Sequence, residues 1–319
     1  MEYSKLKGVK NPVSRIIYGA ATPQMWGGKD ASETLDCAYE AGITTFDTAR
    51  GYGGSEASLG DWVSKRENRD KITVITKGCM IDGTDIKITP KLIKGELEES
   101  LKNLKMDFVD IYFLHKDDKI SDVGAIIETL NELHSANKIG IFGVSNWARG
   151  RLEEAQEYAY KKGLKGFAVA QQCYSYLEQI EDPFDSVCLA GEKNKEEREW
   201  YRRNQMPVFA YSALARGFLS GKVKSTDPLD KVKDMFFEGF IKEYYHPQNM
   251  ERLSRLEQLA KKKGTTVAEL ALVYLFHAPF DVYAITSPSA KHVATTAGTV
   301  GQRLSEAEYL WLEEGQGQL

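Results

Sequence analysis

Residues 42–60 read GITTFDTARGYGGSEASLG. A short β-branched and aromatic run ends at Asp47, a glycine-rich loop carries Tyr52, and polar residues from Ser55 lead into a helix. A strand thus delivers a carboxylate and a phenol to the loop at its carboxyl end. The fold turns on whether this unit repeats.

It does repeat, on both sides. Upstream, residues 15–19 (RIIYG) read as a buried strand, AATPQMWGG as a loop with an aromatic at its tip, and 30–41 as a helix. Downstream, a helix over 55–65 leads to ITVITK, one over 90–104 to FVDIYFLH, and one over 123–137 to IGIFGVS. The helix over 147–162 leads to GFAVAQ, and the charged helix over 192–204 to MPVFAYS. Two helices, 247–263 and 267–277, precede the last run, DVYAIT. Strands alternating with helices predict a parallel sheet, because a parallel connection needs a crossover. Eight strands in a chain of this length, with no linker or shift of composition, predict one (β/α)8 barrel over 1–319. No GxGxxG follows the first strand, which removes the main argument for a doubly wound dinucleotide fold. In a barrel the chemistry gathers at the carboxyl ends of the strands, so polar residues at strand exits belong to one constellation.

Composition narrows the partners. A net charge of -4, from 46 acidic and 42 basic residues spread through the chain, supplies no basic face for nucleic acid, so a small molecule is expected. No apolar run is long enough to span a bilayer and MEYSKLKGVK does not resemble a signal peptide, which predicts a cytoplasmic protein. Cys37, Cys79, Cys173 and Cys188 lie far apart in the sequence with no paired spacing; reduced, packed thiols are expected, with neither disulfides nor a zinc site.

The strand exits carry Asp47 and Tyr52, Lys77, His115, Ser145 and Asn146, Gln171, and Tyr211 with Ser212. A lone lysine or histidine at such a place is ordinary; the set is not. An ammonium near a phenol favours the ionised form, so a contact between Tyr52 and Lys77 makes the phenol a usable acid. Asp47 holds Lys77 charged, and His115 either shares the proton or bonds a carbonyl oxygen, an electrophile opposite that acid. For Asn146 a simpler role is capping a helix that begins at Trp147, and Tyr211 also reads as a plain strand aromatic.

GITTFDTARGYGGSEASLG, the ITK of the third strand, FLHKDD, FGVSNW and AYSALARGFLSGK resemble the successive signatures of the aldo-keto reductases, in the family's order, from about residue 19 to 286. The resemblance implies a (β/α)8 barrel that binds an extended nicotinamide cofactor, NADPH in preference to NADH, and reduces a small carbonyl substrate. It implies a catalytic set of Asp47, Tyr52, Lys77 and His115. It places Ser145, Asn146 and Gln171 around the nicotinamide carboxamide, Gln171 being chosen over Gln172 by its spacing to Tyr174. It stacks Tyr211 on the ring and lays Ser212, Ala213, Leu214, Arg216 and Gly217 along the pyrophosphate, with Gly19 also at the cofactor.

The pattern departs after the last strand, at ITSPSAKHVATTAGTV. Ser287 stands where the family has a glycine, His292 near a glutamine position, and Thr295 and Thr296 at an acidic–asparagine pair. Ser289 and Lys291 remain as phosphate ligands beside a helix start near Ala290. Substrate specificity is expected from Met25 and Trp26, from residues 223–246, whose aromatic stretch 234–246 reads equally as part of a lid or pocket wall and as a packed short helix, and from the tail. A chain ending at Leu319 leaves little to close the pocket, which suits larger carbonyl substrates, sugars among them. Residues 176–191 form a long connection that either reaches over the cofactor or joins the charged helix. Two rival functions stay in view: a nucleotide-binding redox sensor or regulatory subunit on the same fold, and a lyase using Lys77 as a Schiff-base nucleophile, which Asp47 opposes by keeping that lysine protonated.

Overall fold

The computed structural model describes residues 1–81, 86–182 and 185–315. Its first strands, β1 (Tyr3–Ser4) and β2 (Val13–Ser14), pair antiparallel within a stretch whose polar sequence carries no strand signal. Eight more follow: β3 (Ile16–Gly19), β4 (Thr45–Asp47), β5 (Thr73–Gly78), β6 (Val109–Leu114), β7 (Ile139–Ser145), β8 (Val169–Cys173), β9 (Val208–Tyr211) and β10 (Val282–Thr286). They form a closed barrel in the order β10-β3-β4-β5-β6-β7-β8-β9. Pairing is parallel, with Phe46 opposite Val74, Ile75 opposite Ile111, and Ile111 opposite Ile141. The alternation of strands and helices therefore closes into the barrel that it predicts.

The helices follow from local chemistry. That over Pro90–Leu104 starts where Thr89 accepts from the Leu92 N–H with a proline in the first turn, and ends at Lys105 in a left-handed conformation. Ile93, Leu97, Leu101 and Leu104 make its buried stripe at helical spacing. The helix over Val267–Leu275 opens with a capping box between Thr266 and Glu269. Two expectations are corrected. The AATPQMWGG loop contains a short helix, Pro23–Trp26, because Thr22 caps it and Pro23 suits its first turn. The helix expected from Trp147 starts only at Arg149. Of the two readings of the aromatic stretch 234–246, the packed short helix is present as Glu238–Tyr244, with Tyr244 buried and Phe237 exposed before it.

The chain divides into two compact units, Met1–Gln171 with Ser287–Ala297, and Gln172–Thr286 with Gly298–Leu319. In the first, Phe46 packs on Trp62 with ring centroids 4.9 Å apart. In the second, the Arg252 guanidinium lies 4.3 Å from the Tyr176 ring and bonds the Tyr176 carbonyl and Glu313, which ties down the helix Glu306–Glu314. Of residues 176–191, Tyr176 and Leu177 are buried and Leu189 donates to the Cys173 carbonyl at 2.8 Å; Pro183 and Phe184 lie outside the described residues, as does Leu319.

Candidate active site

Asp47 is the last residue of β4, Lys77 the penultimate residue of β5, and His115 follows β6. All three therefore stand at carboxyl ends of neighbouring strands. Lys77 has no solvent exposure, and its ammonium donates to Asp47 Oδ1 at 2.9 Å, to Asp47 Oδ2 at 2.7 Å and to the Thr48 carbonyl at 2.7 Å. It also hydrogen-bonds Tyr52 and lies 4.8 Å from the centre of that ring. Burial pulls the lysine's pKa down, yet Asp47 and Tyr52 outweigh it and hold the pKa above the ordinary value. Gln171 donates to Asp47 Oδ1 at 2.9 Å, so the carboxylate is bonded from two sides.

The loop that carries Tyr52 is fixed by its glycines. The Gly54 N–H donates to the Trp26 carbonyl at 2.9 Å, and a Cβ on Gly54 would stand 2.6 Å from the Gly28 Cα. Gly53 adopts φ +55°, a left-handed conformation that glycine takes without strain. A hydrogen-bond chain from Thr48 Oγ1 to Ser55 Oγ, and from Ser55 to the Ala20 carbonyl, anchors the far side. Tyr52 then lies between Trp26, at a centroid distance of 6.1 Å, and His115, at 5.4 Å edge to face. Trp26 keeps 53% of its surface exposed, so this aromatic wall faces solvent.

His115 is buried, and its Nδ1 has no hydrogen-bond partner among the described residues. Burial first, then the Lys77 and Lys116 charges, push its pKa well below 6.5, and the ring is neutral at neutral pH. Asn146 does not cap a helix. The following helix has Ala148 at its cap with no side-chain bond, and Asn146 instead adopts φ +58° and donates to the His115 carbonyl at 3.3 Å and to Ser145 Oγ at 3.1 Å. Gln172, the rival of Gln171, points elsewhere and donates to the Tyr201 hydroxyl at 2.9 Å.

The remaining candidates fall into two groups. Gly19 pairs with Asp47, and Ser287 Oγ donates to the Gly19 carbonyl at 2.6 Å, so both join this network. Ser289, Lys291 and His292 stand exposed at the start of the helix Ala290–Gly298, where Ser289 Oγ and His292 Nδ1 share a hydrogen bond of 3.0 Å. In the second unit, Ser212, Ala215, Arg216 and Gly217 all have positive φ in one turn around Ala213 and Leu214. The Ala215 and Gly217 N–H groups donate within that turn, to Ser212 and Leu214. The Arg216 guanidinium lies 6.0 Å from the Tyr211 ring and 3.4 Å from the buried Glu243 carboxylate. The sequence reading missed the Thr48 carbonyl as an acceptor for Lys77, since every residue has one and only the backbone path aims it. It missed Glu243 too, which stands within the aromatic stretch 234–246.

A profile of the Aldo/keto reductase family matches residues 15–314. This chain belongs to the aldo/keto reductase family. It is an oxidoreductase of that family and resembles aldo-keto reductase YhdN of Bacillus subtilis, 29% identical over 88% of this chain and 82% of that protein. Two solved aldo/keto reductase-like structures share its fold. The glycerol dehydrogenase of Gluconobacter oxydans superposes with a TM-score of 0.74 at 23% identity, covering 99% of this chain and 97% of that one. An aldo/keto reductase from Klebsiella pneumoniae, solved with NADP and acetate, gives 0.67 at 22% identity over 94% and 90%. Among the described residues no helix is long and apolar enough to cross a membrane, and no group of three or more His, Cys, Asp or Glu residues is arranged to hold a metal.

Proposed function

We propose that this aldo/keto reductase is an NADPH-dependent enzyme that reduces an aldehyde or ketone, with Tyr52 as the proton donor. The observation that carries this is the fully buried Lys77, bonded at once to both Asp47 oxygens and to Tyr52. A lysine held this way is charged. Its ammonium stabilises the phenolate that remains when Tyr52 gives up its proton. Asp47 keeps that lysine protonated, which also speaks against a Schiff-base role, since a nucleophilic amine must be neutral. The neutral His115 ring donates a hydrogen bond to the substrate's carbonyl oxygen, on the same face as the phenol. Trp26 forms the wall beside it.

The donor set fits a nicotinamide nucleotide. In the first unit Ser145, Asn146 and Gln171 supply a hydroxyl and two amides of the kind that hold a carboxamide; in the second, the Arg216 guanidinium beside the turn 212–217 is of the kind that holds a diphosphate. When bound, the nicotinamide supplies the hydride. Ser289, Lys291 and His292, exposed at a helix start, support a 2′-phosphate and hence NADPH over NADH, and the NADP in the Klebsiella relative points the same way. Four free cysteines are consistent with work in the cytoplasm.

Thermal shift with each nucleotide tests the cofactor before any substrate is known, because a ligand that binds only the folded state raises the melting temperature. NADP⁺ is expected to raise it more than NAD⁺, and a panel of aldehydes, ketones and sugars should then oxidise NADPH. No shift with either nucleotide contradicts the proposal.

A further inference from the structure

Cys173 and Cys188 are remote in sequence and adjacent in the fold. Cys173 ends β8, and residue 188 returns to lie against it as a parallel bridge, with the Cys173 N–H donating to the Val187 carbonyl at 3.0 Å and the Leu189 N–H to the Cys173 carbonyl at 2.8 Å. Paired residues on neighbouring strands project to the same side of the ladder. Paired strands in general run about 4.7–4.9 Å apart, a spacing within the roughly 4.4–6.8 Å that a disulfide needs between its Cα atoms. The two thiols stand close enough that each shifts the other's pKa. Both are unpaired.

The two sulfurs differ in surroundings. Cys188 is part-exposed, and the Ala190 N–H points at its sulfur from 3.4 Å. The Cys173 thiol, the Ala190 amide and the Lys193 charge all favour a thiolate at Cys188, whose pKa is lowered. Cys173 is buried, with the Tyr244 hydroxyl 3.7 Å from its sulfur, and its own pKa is raised because its proton is shared with Cys188. Cys79 is also buried, and its thiol is pushed up by burial and by Glu96.

We propose that Cys173 and Cys188 are a redox-active dithiol that hydrogen peroxide closes to an intramolecular disulfide, Cys188 reacting first and Cys173 resolving it. The Cys188 thiolate attacks one peroxide oxygen, the O–O bond breaks, and hydroxide leaves to give a sulfenic acid. The Cys173 sulfur then attacks that sulfur, forming the S–S bond and displacing the hydroxyl, which departs as water with the Cys173 proton. Two thiols and one peroxide become one disulfide and two waters; sulfur is oxidised and peroxide oxygen reduced. This chemistry is independent of the reductase reading.

The test uses the whole chain, reduced and then exposed to a small excess of hydrogen peroxide. Denaturing thiol titration should fall from four free thiols to two, the intact mass should drop by about 2 Da, and a non-reducing digest should link the peptides of Cys173 and Cys188, all reversed by reductant. Cys173→Ser should leave Cys188 as a sulfenic acid that dimedone captures. The proposal is overturned if wild-type protein keeps four thiols, if the linkage joins two chains, or if oxidation falls first on Cys37 or Cys79. Because the wild-type measurement decides alone, a variant that fails to fold does not remove the test.

Discussion

At the scale of single residues, the site is a set of charges and dipoles whose protonation is set by burial. His115 gives the clearest consequence. Its folded pKa lies well below 6.5, mainly because burial disfavours the imidazolium. Between that folded value and 6.5 the unfolded chain binds a proton here that the folded chain does not, so stability rises with pH across this window. The contribution is complete above 6.5 and is lost as pH falls below it. His115→Gln should therefore flatten the pH dependence of unfolding free energy on the acid side of 6.5, as measured by denaturant melts at a series of pH values. An unchanged slope would mean that His115 titrates normally in the fold. Much of this residue-level picture was legible in the sequence, because Asp47, Lys77 and His115 each stand at the end of a recognisable strand. The simpler alternative for Asn146, a helix cap, fails because its left-handed backbone has no signal in a short polar stretch. The Cys173 and Cys188 contact was invisible for a different reason, since it depends on the path of residues 174–187.

At the scale of elements, the Tyr52 loop is a mount, and its rigidity comes from close backbone packing against the turn after β3. Gly54 shows this most directly. Its φ of -80° suits any residue, so a substitution there is opposed by space alone, with the Gly28 backbone 2.6–2.7 Å from where a Cβ would sit. Backbone cannot rotate away as a side chain can. Gly54→Ala should cost about 1–3 kcal/mol in a urea melt, the range of overpacking, and should lower kcat more than it raises KM because the phenol moves. Wild-type stability would show that the loop yields freely. The helices at 90–104 and 247–263 were read from sequence to the residue, since a proline opens each and a left-handed residue closes each. The short strands β1 and β2 were not, because two-residue pairings leave no periodicity.

At the scale of the whole molecule, eight alternating strands and helices made the barrel legible, while the division into two compact units was not, because no linker or change of composition marks it. We propose that residues 1–319 nonetheless unfold as one domain. Either unit alone holds only part of the ring of strands and leaves open sheet edges, which are unfavourable in isolation. Heating should give one calorimetric transition whose van't Hoff and calorimetric enthalpies agree; two resolved transitions would contradict this. The central claim concerns what the barrel holds at its strand ends, and Tyr52→Phe tests it most directly. The variant removes one oxygen and keeps the ring against Trp26 and His115. Measured with NADPH and a carbonyl substrate that the wild type turns over, kcat should fall by at least about 10²-fold, the lower end of general-acid contributions, while NADPH affinity stays within about threefold. Turnover close to wild type, with NADPH bound equally well, would show that Tyr52 is not the acid.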